Sequence, residues 1–137
     1  MLVSQIMRKT VRTITPQTSV KAAAALMGQF NIGVLPVVCE NGRPVGIVTD
    51  RDIVVRWASN ADTDCAVAPI MTQTVITCRT DQTIEQAAHL MSDMQIRRLV
   101  VLNDAHEIAG ILSLGDIAND ADEVLAGQSL GEVVETR

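Results

Sequence analysis

Aromatic residues are almost missing from this chain. Its 137 residues include one Phe, one Trp and no Tyr. A platform on which the bases of a single strand could stack is therefore excluded. Basic runs are missing too. Eleven Lys and Arg stand against 16 Asp and Glu, for a net charge of −5, so nucleic acid is not an expected partner. No apolar run approaches the roughly 20 residues of a membrane span, and the opening MLVSQIMRKT lacks an apolar signal core. A soluble, cytoplasmic protein with no membrane partner is expected. Cysteine is scarce and odd in number: Cys39, Cys65 and Cys78, with no CxxC pair. Neither a zinc knuckle nor a redox motif is indicated, and free thiols in a reducing compartment follow. His89 and His106 fall in different predicted elements without a partner at ligand spacing, so no metal site is expected. No Ser/His/Asp or Cys/His constellation can be assembled.

What the chain does have is aliphatic material and a repeat. Hydrophobic residues make up 47 %, enough for a core of Val, Ile, Leu, Ala and Met. Sliding the sequence by 64 aligns residues 6–53 with 70–117 without a gap. Sixteen of the 48 aligned positions are identical, among them Met7/Met71, Met27/Met91, Gly46/Gly110 and Asp52/Asp116. The chain is two copies of one unit of about 50 residues, and one copy alone would bury too little surface to be secure.

Each copy reads β-α-β-β-α. TVRTIT and TVITCR are β-branched stretches with strand character. Ser19 and Thr83 stand at helix starts, the latter with Gln86 at capping-box spacing. Val20, Ala23, Ala24 and Met27 recur at helical spacing, as do Ile84, Ala87, Ala88 and Met91. IGVLPVV and IRRLVVL are strands. Asn41-Gly42 marks a hairpin into PVGIVT, whereas NDAHE turns in the second copy without a glycine. Second helices start near Asp50 and Gly115 and run to about Ala58 and Asp120. The segments divide as 1–58 (first unit), 59–68 (polar linker), 69–120 (second unit) and 121–137 (acidic tail). Within that tail, Ser129 and Glu132 have capping-box spacing beyond Gly127.

The stretches GIVTDRD and GILSLGD sit where a strand becomes a helix. A hydroxyl there can donate to an anion, beside unpaired backbone N–H groups. An aspartate three residues on can accept from the hydroxyls of a ribose. Thr49 with Asp52, and Ser113 with Asp116, thus suit a ribose-phosphate. The same spacing also serves as a plain capping box that needs no ligand, and the residues leave both readings open. Gly46 and Gly110 allow close packing or a bulge just upstream. Arg suits phosphate, and the copies differ in where they carry it. The first has Arg51 where the second has Gly115; the second has Arg97 and Arg98 where the first has Gly33 and Val34. Non-equivalent sites are expected.

The pattern resembles the CBS domain, named after cystathionine β-synthase, in the tandem arrangement called a Bateman module. The residues that carry the resemblance are IM at 6–7 and 70–71, TSVKAAAALM and QTIEQAAHLM, NIGVLPVV and QIRRLVVL, and GIVTDRDI and GILSLGDI. The resemblance implies an α/β (α+β) fold of two β-α-β-β-α units about a pseudo-twofold axis. It implies clefts that take an adenosine-type ligand: AMP, ADP, ATP, NAD or S-adenosylmethionine. By position, Thr49 and Asp52 would meet phosphate and ribose in one cleft, Ser113 and Asp116 in the other. Thr13, Thr77, and the strand entries Gly33, Val34, Leu35 and Pro36, and Arg97, Arg98 and Leu99, would border the ligand. A homodimer is also implied.

The leading expectation is a non-enzymatic regulatory module that senses an adenine nucleotide or adenosyl compound, requires no cofactor, and acts on an unknown protein target. The alternative is an interaction scaffold whose clefts are vestigial. A nucleotide hydrolase would need a general base and metal ligands that the sequence does not supply.

Overall fold

Ser19 and Thr83 start two eleven-residue helices in the computed structural model, which describes residues 1–58 and 64–120. The Ser19 hydroxyl accepts from the Ala22 N–H at 3.0 Å, and Thr83 and Gln86 close a reciprocal capping box. Such caps satisfy amide donors that the first helical turn leaves unpaired. In chain order the elements are α1 (Val3–Ile6), α2 (Val20–Phe30), β1 (Val34–Val38), β2 (Pro44–Thr49) and α3 (Asp50–Asp52). A π-helical stretch, Ile53–Ala58, continues α3. Then follow β3 (Thr77–Arg79), α4 (Ile84–Met94), β4 (Arg98–Leu102), β5 (Ile108–Ser113) and α5 (Leu114–Asp120). This is the mixed helix-and-strand architecture that the repeat implies.

The duplication is carried into the backbone residue by residue. β1 and β2 pair antiparallel with Val34 opposite Thr49 and Val37 opposite Gly46. β4 and β5 repeat this with Arg98 opposite Ser113 and Val101 opposite Gly110, including the same irregularity before the last pair. Both long helices end on a left-handed residue, Asn31 and Gln95. The hairpins likewise share a positive φ, at Gly42 (81°) and His106 (62°). His106 tolerates this without being glycine because Asn103 organises the turn: its side-chain oxygen accepts from the N–H groups of Ala105 and Glu107.

The copies depart from each other in the first strand. β3 pairs parallel with β4, whereas TVRTIT forms only a bridge between Ile14 and Val37. Proline explains the difference. The Thr80 N–H extends the β3 ladder to the Leu102 carbonyl at 3.1 Å. The equivalent residue in the first copy is Pro16, which has no N–H to donate.

The chain divides into two compact units that do not coincide with the repeats. One comprises Arg12–Val75; the other joins Met1–Val11 to the chain from Ile76 onward. Each unit therefore takes the lead-in segment that precedes the other copy in sequence. In the Arg12–Val75 unit the core is built from Val20, Ala23, Met27, Leu35, Val37 and Val48, with Val67 and Ile70 from the lead-in. Cys65 to Ala68, read from the sequence as linker, are tied here by bonds from Val20 N–H to the Cys65 carbonyl (2.7 Å) and from Val67 N–H to the Thr18 carbonyl (2.8 Å). In the other unit Ile84, Ala88, Met91, Leu99, Val101 and Leu112 pack with Val3 and Ile6 from the N-terminal segment. The apolar stripe expected on α2 is complete only on α4, for Ala24 is exposed while Ala88 is buried. The acidic tail and its Ser129–Glu132 cap lie outside the described residues, as do residues 59–63 of the linker.

Gly46 and Gly110 show why the lead-ins matter. A side chain on Gly46 would meet Met71 Sδ at 2.7 Å and the Thr72 carbonyl at 3.1 Å. One on Gly110 would meet the Arg8 carbonyl at 2.7 Å and Met7 Sδ at 2.8 Å. The IM segments lie directly on these strands, held by paired backbone bonds between Ile47 and Thr72 and between Arg8 and Ile111. The close-packing role expected of both glycines is observed.

Candidate functional site

At each strand-to-helix junction the hydroxyl and the carboxylate face one another. The Asp52 N–H donates to Thr49 Oγ1 at 3.1 Å, and the Thr49 N–H donates to Asp52 Oδ2 at 3.0 Å. Ser113 and Asp116 repeat the exchange at 3.0 Å both ways. The capping reading is thus realised in both copies. It consumes one oxygen of each carboxylate, Oδ2, and leaves Oδ1 for other donors. Both aspartates are buried, at 8 % and 6 % exposure. A buried carboxylate of this kind needs hydrogen-bonding partners to offset its lost hydration.

The partners of Oδ1 differ between the units. In the unit built on the second copy, Arg8 Nε donates to Asp116 Oδ1 at 3.2 Å. In the other, the Thr72 hydroxyl lies 3.4 Å from both Asp52 oxygens, and Arg56 Nε is 3.8 Å from Oδ1. Arg8 and Thr72 are equivalent positions of the repeat, each following the methionine of an IM segment. Neither they nor Arg56 stand among the residues expected from the sequence. A signal was present: the 64-residue offset sets a guanidinium against a hydroxyl at this position.

The expected residues gather at these two junctions to different degrees. The Asp50 N–H donates to the Gly33 carbonyl at 3.0 Å, and the Leu114 N–H to the Arg97 carbonyl at 3.1 Å. Each strand entry is thereby tied to the turn that carries the aspartate. Directly opposed residues of an antiparallel pair share a face, so Val34 lies beside Thr49 and Arg98 beside Ser113. Leu35 and Leu99 point the other way, into the two cores. Pro36 is buried, and its carbonyl accepts from the Ile14 N–H at 3.0 Å. Thr13 is exposed just before that bridge; Thr77 is half-buried and opposes Val100. Arg51, Arg97 and Arg98 are all exposed. The Ser113 junction thus carries Arg8, Arg97 and Arg98, while the Thr49 junction carries Arg51 and Arg56 beside the acidic Asp50.

Other chemistry is sparse. Burial pushes the Cys78 thiol up to about 11, and the side chain belongs to a core. Among the described residues no three His, Cys, Asp or Glu side chains are grouped to hold a metal ion. No described helix is long and apolar enough to cross a membrane.

Comparison with known proteins matches the CBS domain family model twice, over residues 3–58 and 67–122. The CBS domain-containing protein YhcV of Bacillus subtilis is 36 % identical over 133 residues, which cover 96 % of this chain and 94 % of YhcV. Among solved structures, the CBS domain pair of protein MJ0100, in complex with 5′-methylthioadenosine and S-adenosyl-L-methionine, superposes with a TM-score of 0.79 at 32 % identity, covering 93 % of this chain and 98 % of that one. CBSX2 in complex with AMP superposes with a TM-score of 0.76 at 26 % identity, covering 90 % and 97 %.

Proposed function

This chain belongs to the CBS domain family as a tandem pair, and from that premise we propose that it is a non-catalytic regulatory module that binds an adenosine-containing small molecule. The observation that carries the reading is the pair of buried aspartates, Asp52 and Asp116, each beside a hydroxyl and each with only Oδ2 committed to the cap. Oδ1 is then the acceptor for a ribose hydroxyl, taken over from its present partner, Arg8 at Asp116 and Thr72 at Asp52. Thr49 or Ser113 flanks the phosphate or its substitute, with Arg51 at the first junction and Arg97 or Arg98 at the second supplying cationic contacts. The adenosine compounds bound by MJ0100 and CBSX2 support the same ligand class. AMP, ADP, ATP, NAD and S-adenosylmethionine all satisfy it. Thr13, Thr77 and the strand entries Gly33–Pro36 and Arg97–Leu99 border the base.

The output of such a module is a change in population. A ligand shifts a conformational equilibrium only by its difference in affinity for the two states. The reading therefore requires a protein target or a second copy that reports the change. Phe30 and Met94, equivalent residues at the ends of α2 and α4, and Val54 and Val55 are exposed apolar side chains suited to a homodimer contact.

A second reading, an interaction scaffold with vestigial sites, is favoured by one fact: both carboxylates already serve as caps. Thermal melting decides between them. Millimolar AMP, ATP, NAD and S-adenosylmethionine are added in turn. A ligand at 100 times its Kd stabilises by about 2.7 kcal/mol, a rise of several degrees for a protein of this size. Absence of a rise with all four would leave the scaffold.

A further inference from the structure

We infer that Arg8 is a specificity-determining residue that locks the Ser113–Asp116 junction against a ribose diol, while Thr72 leaves the Thr49–Asp52 junction open. The inference rests on the reading of both junctions as sugar sites. Asp116 Oδ1, the oxygen left over from the cap, already accepts from Arg8 Nε at 3.2 Å. The Arg8 backbone cannot drift, because its N–H and carbonyl are both bonded to Ile111, at 2.9 and 3.0 Å. Only the side chain can swing, and it is 73 % exposed while the Asp116 side chain is buried. A diol that reaches Asp116 must first displace a charge-assisted hydrogen bond, which is stronger than a neutral one.

At the other junction the contacts to the aspartate are longer. Thr72 Oγ1 lies 3.4 Å from each Asp52 oxygen, beyond the usual 2.5–3.0 Å of a hydroxyl-to-oxygen bond. Arg56 stands off at 3.8 Å. An incoming diol trades these long contacts for short ones. The guanidinium freed from Asp116 stays at the junction whose strand entry carries Arg97 and Arg98, so a ligand bearing several negative charges regains there what a neutral nucleoside forfeits. Adenosine therefore separates the two effects, since it carries the diol and no charge.

The test follows adenosine binding to the full chain by NMR, with the Asp52 and Asp116 amide resonances reporting the two junctions separately. Arg8→Thr installs the residue that the other unit carries at this place. It should tighten adenosine at the Asp116 junction about fivefold, the scale of a partly exposed ion pair, and leave the Asp52 junction unchanged. Thr72→Arg should weaken the Asp52 junction by a similar factor. With 2′,3′-dideoxyadenosine the gain from Arg8→Thr should vanish. Arg8→Lys, which keeps the charge and loses the Nε donor, should fall between wild type and Arg8→Thr. An Asp116 junction that is unchanged or weakened in both Arg8 variants, with the Asp52 junction still binding, overturns the lock and leaves the proposed function standing. Wild-type protein that binds neither adenosine nor AMP at either junction overturns both.

Discussion

Replacing Gly46 or Gly110 by alanine adds one methyl group to equivalent positions of the repeat, yet the two should not cost the same. At Gly46 the new Cβ falls 2.7 Å from Met71 Sδ and 3.1 Å from the Thr72 carbonyl. The sulfur is near the end of a flexible side chain and can rotate away, so the clash reduces to the tight carbonyl contact. At Gly110 the closest atom is the Arg8 carbonyl, at 2.7 Å. That carbonyl is backbone, and it is held by the Ile111 N–H at 3.0 Å. Relief there requires the lead-in to move off the strand, which breaks the Arg8–Ile111 pair and draws Arg8 from Asp116. Overpacking costs about 1–3 kcal/mol, and removing a glycine returns up to about 1 kcal/mol through the unfolded chain. Gly46→Ala should therefore lose about 1 kcal/mol or less, and Gly110→Ala about 2–3 kcal/mol. Urea denaturation of both variants reads the difference as a shift in midpoint at constant slope. A Gly110→Ala protein as stable as wild type, or a Gly46→Ala protein that is the weaker of the two, would refute the reasoning.

Three further outcomes follow from the same structure. Thr83→Ala removes the hydroxyl that accepts from the Gln86 N–H, and Ser19→Ala the one that accepts from the Ala22 N–H; each should cost about 1 kcal/mol and lower the melting temperature to a similar extent. The cysteines should separate in a maleimide time course at neutral pH: exposed Cys65 first, half-buried Cys39 next, and buried Cys78 only on unfolding. Burial raises the Cys78 thiol from 9.0 to about 11, so the folded state holds its proton more tightly than the unfolded chain. The stability tied to this group is fully present below pH 9 and is lost as the pH rises toward 11. Cys78→Ala should flatten that alkaline decline; an unchanged decline would remove the thiol from the account.

Much of the fold was legible because the chain states it twice. Apolar periodicity, the caps at Ser19 and Thr83 and the strand segments each appear in two independent copies, and the observed pairings repeat at the 64-residue offset. The short reach of TVRTIT could also have been foreseen, since Pro16 removes the donor that Thr80 supplies to the second copy. The junction residues were legible as types and spacings. Their choice between cap and ligand was not, because a capping box and a ribose acceptor require the same atoms. Arg8 and Thr72 were missed for a different reason. Sequence proximity assigned Arg8 to the first copy, while its carboxylate partner lies 108 positions along the chain.

That displacement follows from how the lead-ins are exchanged. Gly46 is fitted to Met71 and Gly110 to Met7, so each copy is completed by the segment that precedes the other in sequence. A fragment ending at residue 58 keeps Gly46 and Asp52 but forfeits Val67, Ile70, Met71 and Thr72. It loses core on one side and an Asp52 partner on the other. Duplication here therefore completes each core as well as repeating each junction. It also changes what divergence between the copies means. A substitution in an IM segment acts at the junction of the other copy. Position 8 against position 72 is where that has happened, and the consequence falls on Asp116 and Asp52.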